Sequence, residues 1–264
     1  MVMGQGTVDA AADLLWELWS KDTKLAELPP ECVPVDLEDG WAVQRSLDRH
    51  IGQPVGWKVA ASSLAGQRVI GVDRPLVGSL HAVQLVEDGC VLPLPTIGVA
   101  EAEFVFRLDR GLRAAEAPFT REIVLANVVS VHAGMEVPDS RLAAYPHISA
   151  PQLVADFMCA RWLVIGPALE GIALAELPYM AVSAGRGADV ESEGIGSDVL
   201  GDPCDALVWL INEVAGHGMD VVPGAVVTTG ACAWIENARA RDTVTSTFGN
   251  SVSVRVTFAD PAGG

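Results

Sequence analysis

The sequence predicts an α+β fold, with a helical lobe over residues 1–54 entering a β-rich body over residues 55–264. Three observations predict it. Apolar residues fall at helical spacing in the first fifty positions. The texture then changes to short apolar runs separated by Gly and Pro, interrupted by a single further helical pattern. No internal repeat or low-complexity linker divides the chain.

In the first element Val8, Ala11, Leu14, Leu15, Leu18, Trp19, Leu25 and Leu28 share a helical face, which predicts a helix over residues 7–28 stopped by Pro29-Pro30. A second helix is expected from about Leu37 to His50, ending near Gly52. Strands are expected over Val55–Ala60, Gly89–Pro93, Glu101–Leu108 and Ile123–His132. The later helix, Cys204–His217, keeps Leu207, Leu210, Ile211 and Val214 on one face. Strands Val226–Thr229, Thr243–Phe248 and Ser251–Phe258 follow, and the Pro-Ala-Gly-Gly end is expected to be a disordered tail.

With 264 residues, 50% of them hydrophobic, the chain can bury a large core, which excludes a disordered protein. No uninterrupted apolar stretch is long enough to cross a bilayer, and the amino-terminal segment carries acids where a secretory signal or transit peptide has a basic region. The expected compartment is the cytoplasm. Cys32, Cys90, Cys159, Cys204 and Cys232 are odd in number and contain no C-x-x-C pair, so reduced core thiols are expected. A formal charge of −17 repels nucleic acid phosphates. The expected partners are therefore a small-molecule substrate and further copies of the chain in a homo-oligomer, with neither nucleic acid nor membrane. An anionic substrate would need a concentrated positive charge, either a bound metal or a buried lysine.

Acid clusters and isolated lysines are accordingly the places to look. In Glu101-Ala-Glu103-Phe-Val-Phe-Arg-Leu, the strand period puts Glu101, Glu103, Val105 and Arg107 on one face and Ala102, Phe104, Phe106 and Leu108 on a core face. Two carboxylates about 7 Å apart along a strand can converge on a hard cation, although a solvated charged face is the ordinary meaning of such a pair. Glu136 offers a third ligand after the strand ending near Val131. Asp139 and Arg141 could instead pair with each other or with Glu136. His132 reads as an ordinary hydrogen-bonded residue. Lys58 lies in an otherwise apolar strand, where its stem either carries the ammonium to the surface or buries it for a purpose.

Five blocks together resemble the 2-keto-4-pentenoate hydratases, relatives of fumarylacetoacetate hydrolase, in order and approximate spacing from residue 40 to 258. They are Gly-Trp-Lys58-Val-Ala-Ala-Ser, Glu101-Ala-Glu103-Phe-Val-Phe, Glu136-Val-Pro-Asp-Ser-Arg, Val199-Leu-Gly-Asp-Pro with Ala206-Leu-Val-Trp-Leu, and Gly224-Ala-Val-Val-Thr-Thr-Gly230. The resemblance implies a mixed β-roll/sandwich of the fumarylacetoacetate hydrolase type with an N-terminal helical lobe. It also implies Mg2+ or Mn2+ on Glu101, Glu103 and Glu136, with Lys58 facing the substrate. In that setting a metal chelated by a 2-oxo acid stabilises an enolate. Lys58 neutralises the carboxylate or the enolate oxygen, and a depressed pKa would let it move a proton.

The departures bear on the reaction. Pro75-Leu76-Val77-Gly78 stands where these hydratases commonly have Pro-Asp-Phe/Tyr-Gly, and Asp156-Phe157-Met158-Cys159-Ala160 aligns with Asp-Asn-Ala-Ser-Ser. Ala231-Cys-Ala-Trp234-Ile-Glu-Asn replaces a loop that tends to Ser, Gly and Pro. Leu76, Phe157, Met158 and Trp234 are thus expected to form an apolar substrate wall. The leading expectation is a hydratase-type lyase for an enolisable 2-oxo acid or dicarbonyl-like compound. A relative that decarboxylates, isomerises or cyclises without adding water is a second reading, and a catalytically silent ligand-binding or partner subunit a third.

Overall fold

The computed structural model describes residues 3–260. Helix α1 (Gln5–Lys21) buries Val8, Ala11, Ala12, Leu15 and Leu18 along one stripe. It ends earlier than its apolar period suggests. Asp22 adopts a left-handed conformation, φ 50°, and its N–H returns to the carbonyls of Leu18 and Trp19. Leu25 then leaves the helical path to bridge Leu142, and Leu28 donates its N–H to the buried Gln152 side chain at 3.0 Å. Helix α2 (Leu37–Ile51) is started by the Asp36 side chain accepting from Asp39 N and stops at Gly52. It buries Trp41, Val43, Gln44 and Leu47.

The body continues with β1 (Gly56–Ala60), α3 (Leu64–Ile70), β2 (Leu76–Leu80), β3 (Leu85–Glu87), β4 (Cys90–Leu92) and β5 (Ala100–Leu108). Next come α4 (Arg121–Leu125), β6 (Val128–Val137), α5 (Ala150–Ala155), β7 (Trp162–Ala168), β8 (Ala181–Arg186) and β9 (Asp189–Ile195). Helix α6 (Pro203–Gly216) and strands β10 (Val226–Ile235), β11 (Thr243–Phe248) and β12 (Val252–Phe258) complete it. Helices α3 and α5 and strands β2, β3, β7, β8 and β9 lie outside the elements predicted from periodicity. The expected strand over 123–132 begins instead as helix α4, because Thr120 caps it by accepting from Ile123 N. Asn127 then turns the chain by exchanging hydrogen bonds with the Arg110 backbone. The strand consequently runs to Val137, and Glu136 lies within it rather than beyond it.

Two sheets form the body, a seven-stranded one in the order β2-β1-β10-β5-β6-β7-β3 and a five-stranded one in the order β4-β12-β11-β8-β9. They meet through buried faces. Phe104 of β5 and Phe248 of β11 pack edge to face at 5.3 Å, and the bare backbone of Gly166 admits Val254. Helix α2 packs against α5 through Gly40, where a Cβ would stand 2.6 Å from the Pro151 carbonyl oxygen. All five cysteines are free. Among the described residues no helix is long and apolar enough to cross a membrane. The Pro-Ala-Gly-Gly end lies outside the described residues.

Candidate active site

Four adjacent strands of the larger sheet, β1, β10, β5 and β6, build the site. The antiparallel register of β5 and β6 sets Glu101 opposite Glu136 and Glu103 opposite Gly134. Glycine is required there, since a Cβ on residue 134 would lie 2.2 Å from Val105 Cγ2. One carboxylate oxygen from each of Glu101, Glu103 and Glu136 lies within 4.8 Å of the others. On the far side of β5, strand β10 orients Glu103: the Thr228 hydroxyl and the Gly230 N–H, the latter at 3.0 Å, both donate to Glu103 Oε2. Gly230 stands at φ +106°, beside a bulge that resets the β10–β5 register.

Lys58 of β1 pairs in register with Thr228 and is buried. Its ammonium donates to Glu136 Oε1 at 2.5 Å and to the Met158 carbonyl at 3.1 Å. One ammonium therefore faces three buried carboxylates. Burial first, then the charge of Glu136, pushes Glu101 up to about 7, against the pull of Lys58. The same causes, with Glu101 added, lift Glu103 well above the usual range, and burial raises Glu136 despite its ion pair. Burial would lower the Lys58 pKa, but Glu136, Glu101 and Glu103 reverse this and hold it above its ordinary value. The three carboxylates thus favour the charged ammonium of Lys58.

Glu136 Oε2 is buried and has no hydrogen-bond partner among the described residues. An orphaned carboxylate oxygen, grouped with two further carboxylates whose protonation is favoured by their repulsion, fits a hard divalent cation that accepts oxygen ligands. These three residues could hold one.

The roof over Lys58 is a left-handed turn. Phe157, Met158 and Cys159 have φ of 52°, 51° and 64°, a conformation that costs side-chain-bearing residues roughly 1–2 kcal/mol each. Asp156 anchors it: its carboxylate accepts from Ser140 Oγ at 2.7 Å, from Arg141 N at 3.0 Å and from the Arg141 guanidinium. Arg141 therefore pairs with Asp156, and Asp139 pairs with Lys24 at 2.7 Å, so neither makes the partnership considered from sequence. His132 is held between Ser130 and the Gly166 carbonyl, both at 2.9 Å. The turn closes on bare backbone at Gly78, where a Cβ would sit 2.1 Å from the Phe157 carbonyl oxygen. Gly78→Ala is accordingly expected to lower stability by about 1–3 kcal/mol, and to reduce turnover by displacing the Met158 carbonyl from Lys58. Thermal melts and steady-state rates check both.

A cavity of about 350 Å³ opens beside this group, with Lys58, Glu101 and Glu103 at its polar end and Val69, Ile70 and Val99 among its apolar walls. Of the four residues expected on a substrate wall, Met158 and Trp234 line this cavity. Leu76 and Phe157 do not. Leu76 is buried in β2, and the left-handed turn sends the Phe157 ring into the core against His81 and Trp19, at 4.9 and 6.1 Å. The cavity also takes in Ser62, Tyr145 and Cys159, which sequence reasoning did not single out. Tyr145 sits in an irregular loop whose pattern carries no signal. Cys159 was legible only as part of the block that departs from the hydratases.

No family model matches the chain. It is 29% identical over 260 residues to the 2-keto-4-pentenoate hydratase of Burkholderia vietnamiensis, covering 96% of this chain and 98% of that one. It is 27% identical over 243 residues to the 2-hydroxyhexa-2,4-dienoate hydratase of Comamonas testosteroni, covering 89% and 91%. The chain is similar in sequence to 2-keto-4-pentenoate hydratases over nearly its whole length. It also shares its fold with the 4-oxalocrotonate decarboxylase from Pseudomonas putida G7, solved with magnesium and adipate. That match has a TM-score of 0.87 at 23% identity and spans 97% of this chain and 99% of that one. The 5-carboxymethyl-2-hydroxymuconate delta-isomerase from Mycobacterium smegmatis matches less closely, with a TM-score of 0.57 at 15% identity over 80% of this chain and 81% of that one. The sheets and helices of the chain thus have the fold of the fumarylacetoacetate hydrolase type.

Proposed function

We propose that this protein is a metal-dependent lyase for an enolisable 2-oxo acid with a largely apolar tail. The observation that carries the reading is the convergence of Glu101, Glu103 and the unpartnered oxygen of Glu136 beside the buried Lys58, at one end of a cavity with apolar walls. A divalent cation on the three glutamates would supply Lewis-acid stabilisation of negative charge on the substrate's oxygens. Magnesium is the first candidate, since the structural neighbour was solved with it.

Lys58 adds a second positive charge, pre-oriented by Glu136 and the Met158 carbonyl. It favours a bound carboxylate and the enolate formed next to it, because the first carries and the second develops negative charge where the ammonium already points. Together these charges offset the repulsion that the net −17 of the chain exerts on an anion. The apolar walls bury the substrate's hydrocarbon at roughly 25 cal/mol per Å² before ordering costs, and they thin the water around the reacting carbon.

One observation favours an enolate reaction without water addition. The aligned family acid is replaced by Leu76, which is buried away from the cavity. Among the described residues the cavity has one carboxylate outside the three-glutamate group, Glu236, which accepts from Trp234 Nε1 at 3.2 Å at the exposed rim. Decarboxylation or isomerisation needs no positioned water and is the second reading. Proton NMR in deuterated solvent, with 2-oxo acids of increasing chain length and with or without magnesium, tests the shared step. Magnesium-dependent loss of the C3 proton signal is expected, and its absence across the series sinks the reading. Product analysis then separates water addition from loss of carbon dioxide or rearrangement.

A further inference from the structure

The donors around the cavity are mostly committed. Two of the three Lys58 N–H groups go to Glu136 and Met158, the Trp234 N–H goes to Glu236, and the Gly230 N–H goes to Glu103. Ser62 and Ser63 also line the cavity with short hydroxyls close to the backbone, and that of Ser63 accepts from Gly66 N at 3.1 Å in capping α3. Tyr145 carries its donor on a longer, aromatic side chain. Its side chain lines the cavity at half-burial, and its hydroxyl makes no hydrogen bond to any described residue. The loop carrying it is nevertheless fixed, since Ala144 N donates to the Ala26 carbonyl at 3.0 Å and Tyr145 N to that of Leu142 at 3.3 Å.

We infer that Tyr145 is a substrate-contacting residue whose hydroxyl donates a hydrogen bond to an oxygen of the bound 2-oxo acid and so fixes its orientation in the cavity. The inference rests on the reading of the cavity as a 2-oxo acid site. Three features support it. A half-buried phenol with an unused donor in a ligand-sized cavity gains a partner only when something polar binds. Burial, followed by the charges of Cys159 and Glu101, pushes the phenol up to about 12, so it stays protonated near neutral pH and serves as a donor rather than a base. Its rigid aromatic body adds apolar contact on the same wall at little entropic cost. Tyr145 also complements Lys58: the ammonium supplies charge, whereas a neutral donor supplies direction.

Tyr145→Phe keeps the ring and removes the hydroxyl alone, so the fold is expected to persist. Magnesium-dependent deuterium exchange into 2-oxopentanoate would be measured for both proteins, with calorimetric titration of magnesium alone as the structural control. The expected result is about a tenfold rise in KM, equivalent to about 1.4 kcal/mol, with magnesium affinity and melting temperature unchanged. Unchanged KM and kcat in the Phe variant, beside an active parent, overturn the role of Tyr145 and leave the function standing. A parallel loss of magnesium affinity or melting temperature also overturns it, by making the residue structural. A parent that exchanges no 2-oxo acid refutes the functional reading, and the assignment of Tyr145 falls with it.

Discussion

Glu103→Gln is expected to abolish cation-dependent turnover while making the cation-free protein more heat-resistant. Glutamine retains an oxygen that can accept from Thr228 and the Gly230 N–H, so the local geometry has no reason to collapse. It removes a negative charge from a buried group in which three carboxylates share one ammonium. Loss of a direct ligand should cost more than the roughly 10–100-fold typical of residues that merely support a ligand, so a fall beyond about 100-fold is expected. The relief of repulsion should raise the melting temperature by several degrees, at about 2–4 °C per kcal/mol for a domain of this size.

The pH dependence follows from the same group. Glu101 and Glu103 have folded pKa values above the ordinary 4.5, so the folded state binds more protons than the unfolded state in this window. Their unfavourable contribution is absent below 4.5 and grows as pH rises, through about 7 for Glu101 and beyond. The cation-free parent should therefore lose stability as pH rises through about 7, where Glu101 ionises, with Glu103 adding to the loss in the same direction. Magnesium should restore it, and Glu103→Gln should flatten the dependence. Melting curves at several pH values with and without magnesium, beside a calorimetric titration, decide the matter. Retained turnover, or a parent whose stability is insensitive to both pH and magnesium, would remove the glutamates from the cation site.

What could be read from sequence was local, and what could not depended on register and handedness. Helix α2 is legible because its start and stop are chemical, the Asp36 cap and Gly52. Helix α1 is overread since Leu25 and Leu28 continue its period even though the chain has left the helix at Asp22. Strands β8 and β9 carry little apolar signal, with Ser, Gly, Arg, Asp and Glu at many positions, and gain their stability from pairing within the smaller sheet. Alternation alone puts Glu101 and Glu103 on one face. Glu136 joins them only because β6 starts after the Asn127 turn, a register that no pattern in the strand announces. The cavity wall shows the limit of reasoning from aligned blocks. Position 157 adjoins the cavity in the chain, but three successive left-handed residues rotate its ring into the core and leave Met158 and Cys159 on the wall. Leu76 lies on β2 opposite Ala60, so its neighbour across the strands lines the cavity while Leu76 does not.

Lys58→Met should separate catalysis from cation binding. The substitution preserves an unbranched stem of similar length, which suits a strand position buried against Gly78 and the turn at Met158. It removes a charge that helps the reaction yet opposes the cation. Lys58 Nζ lies 2.5 Å from Glu136 Oε1, so its ammonium repels any dication held by the same carboxylate. Turnover is therefore expected to fall by about 10²–10³-fold, the usual effect of losing one group that stabilises developing negative charge, while magnesium affinity holds or tightens. The cation-free variant should be less stable by as much as about 3–5 kcal/mol, because Glu136 is left buried without its counter-ion, and it should gain more from magnesium than the parent does. Turnover, C3 proton exchange and magnesium titration on the same preparation give the three readings. If turnover and magnesium affinity fell together, Lys58 would belong to the assembly of the cation site. Parent-like turnover would instead make the Lys58–Glu136 pair structural, since the buried ammonium facing the cavity would then have no part in the chemistry.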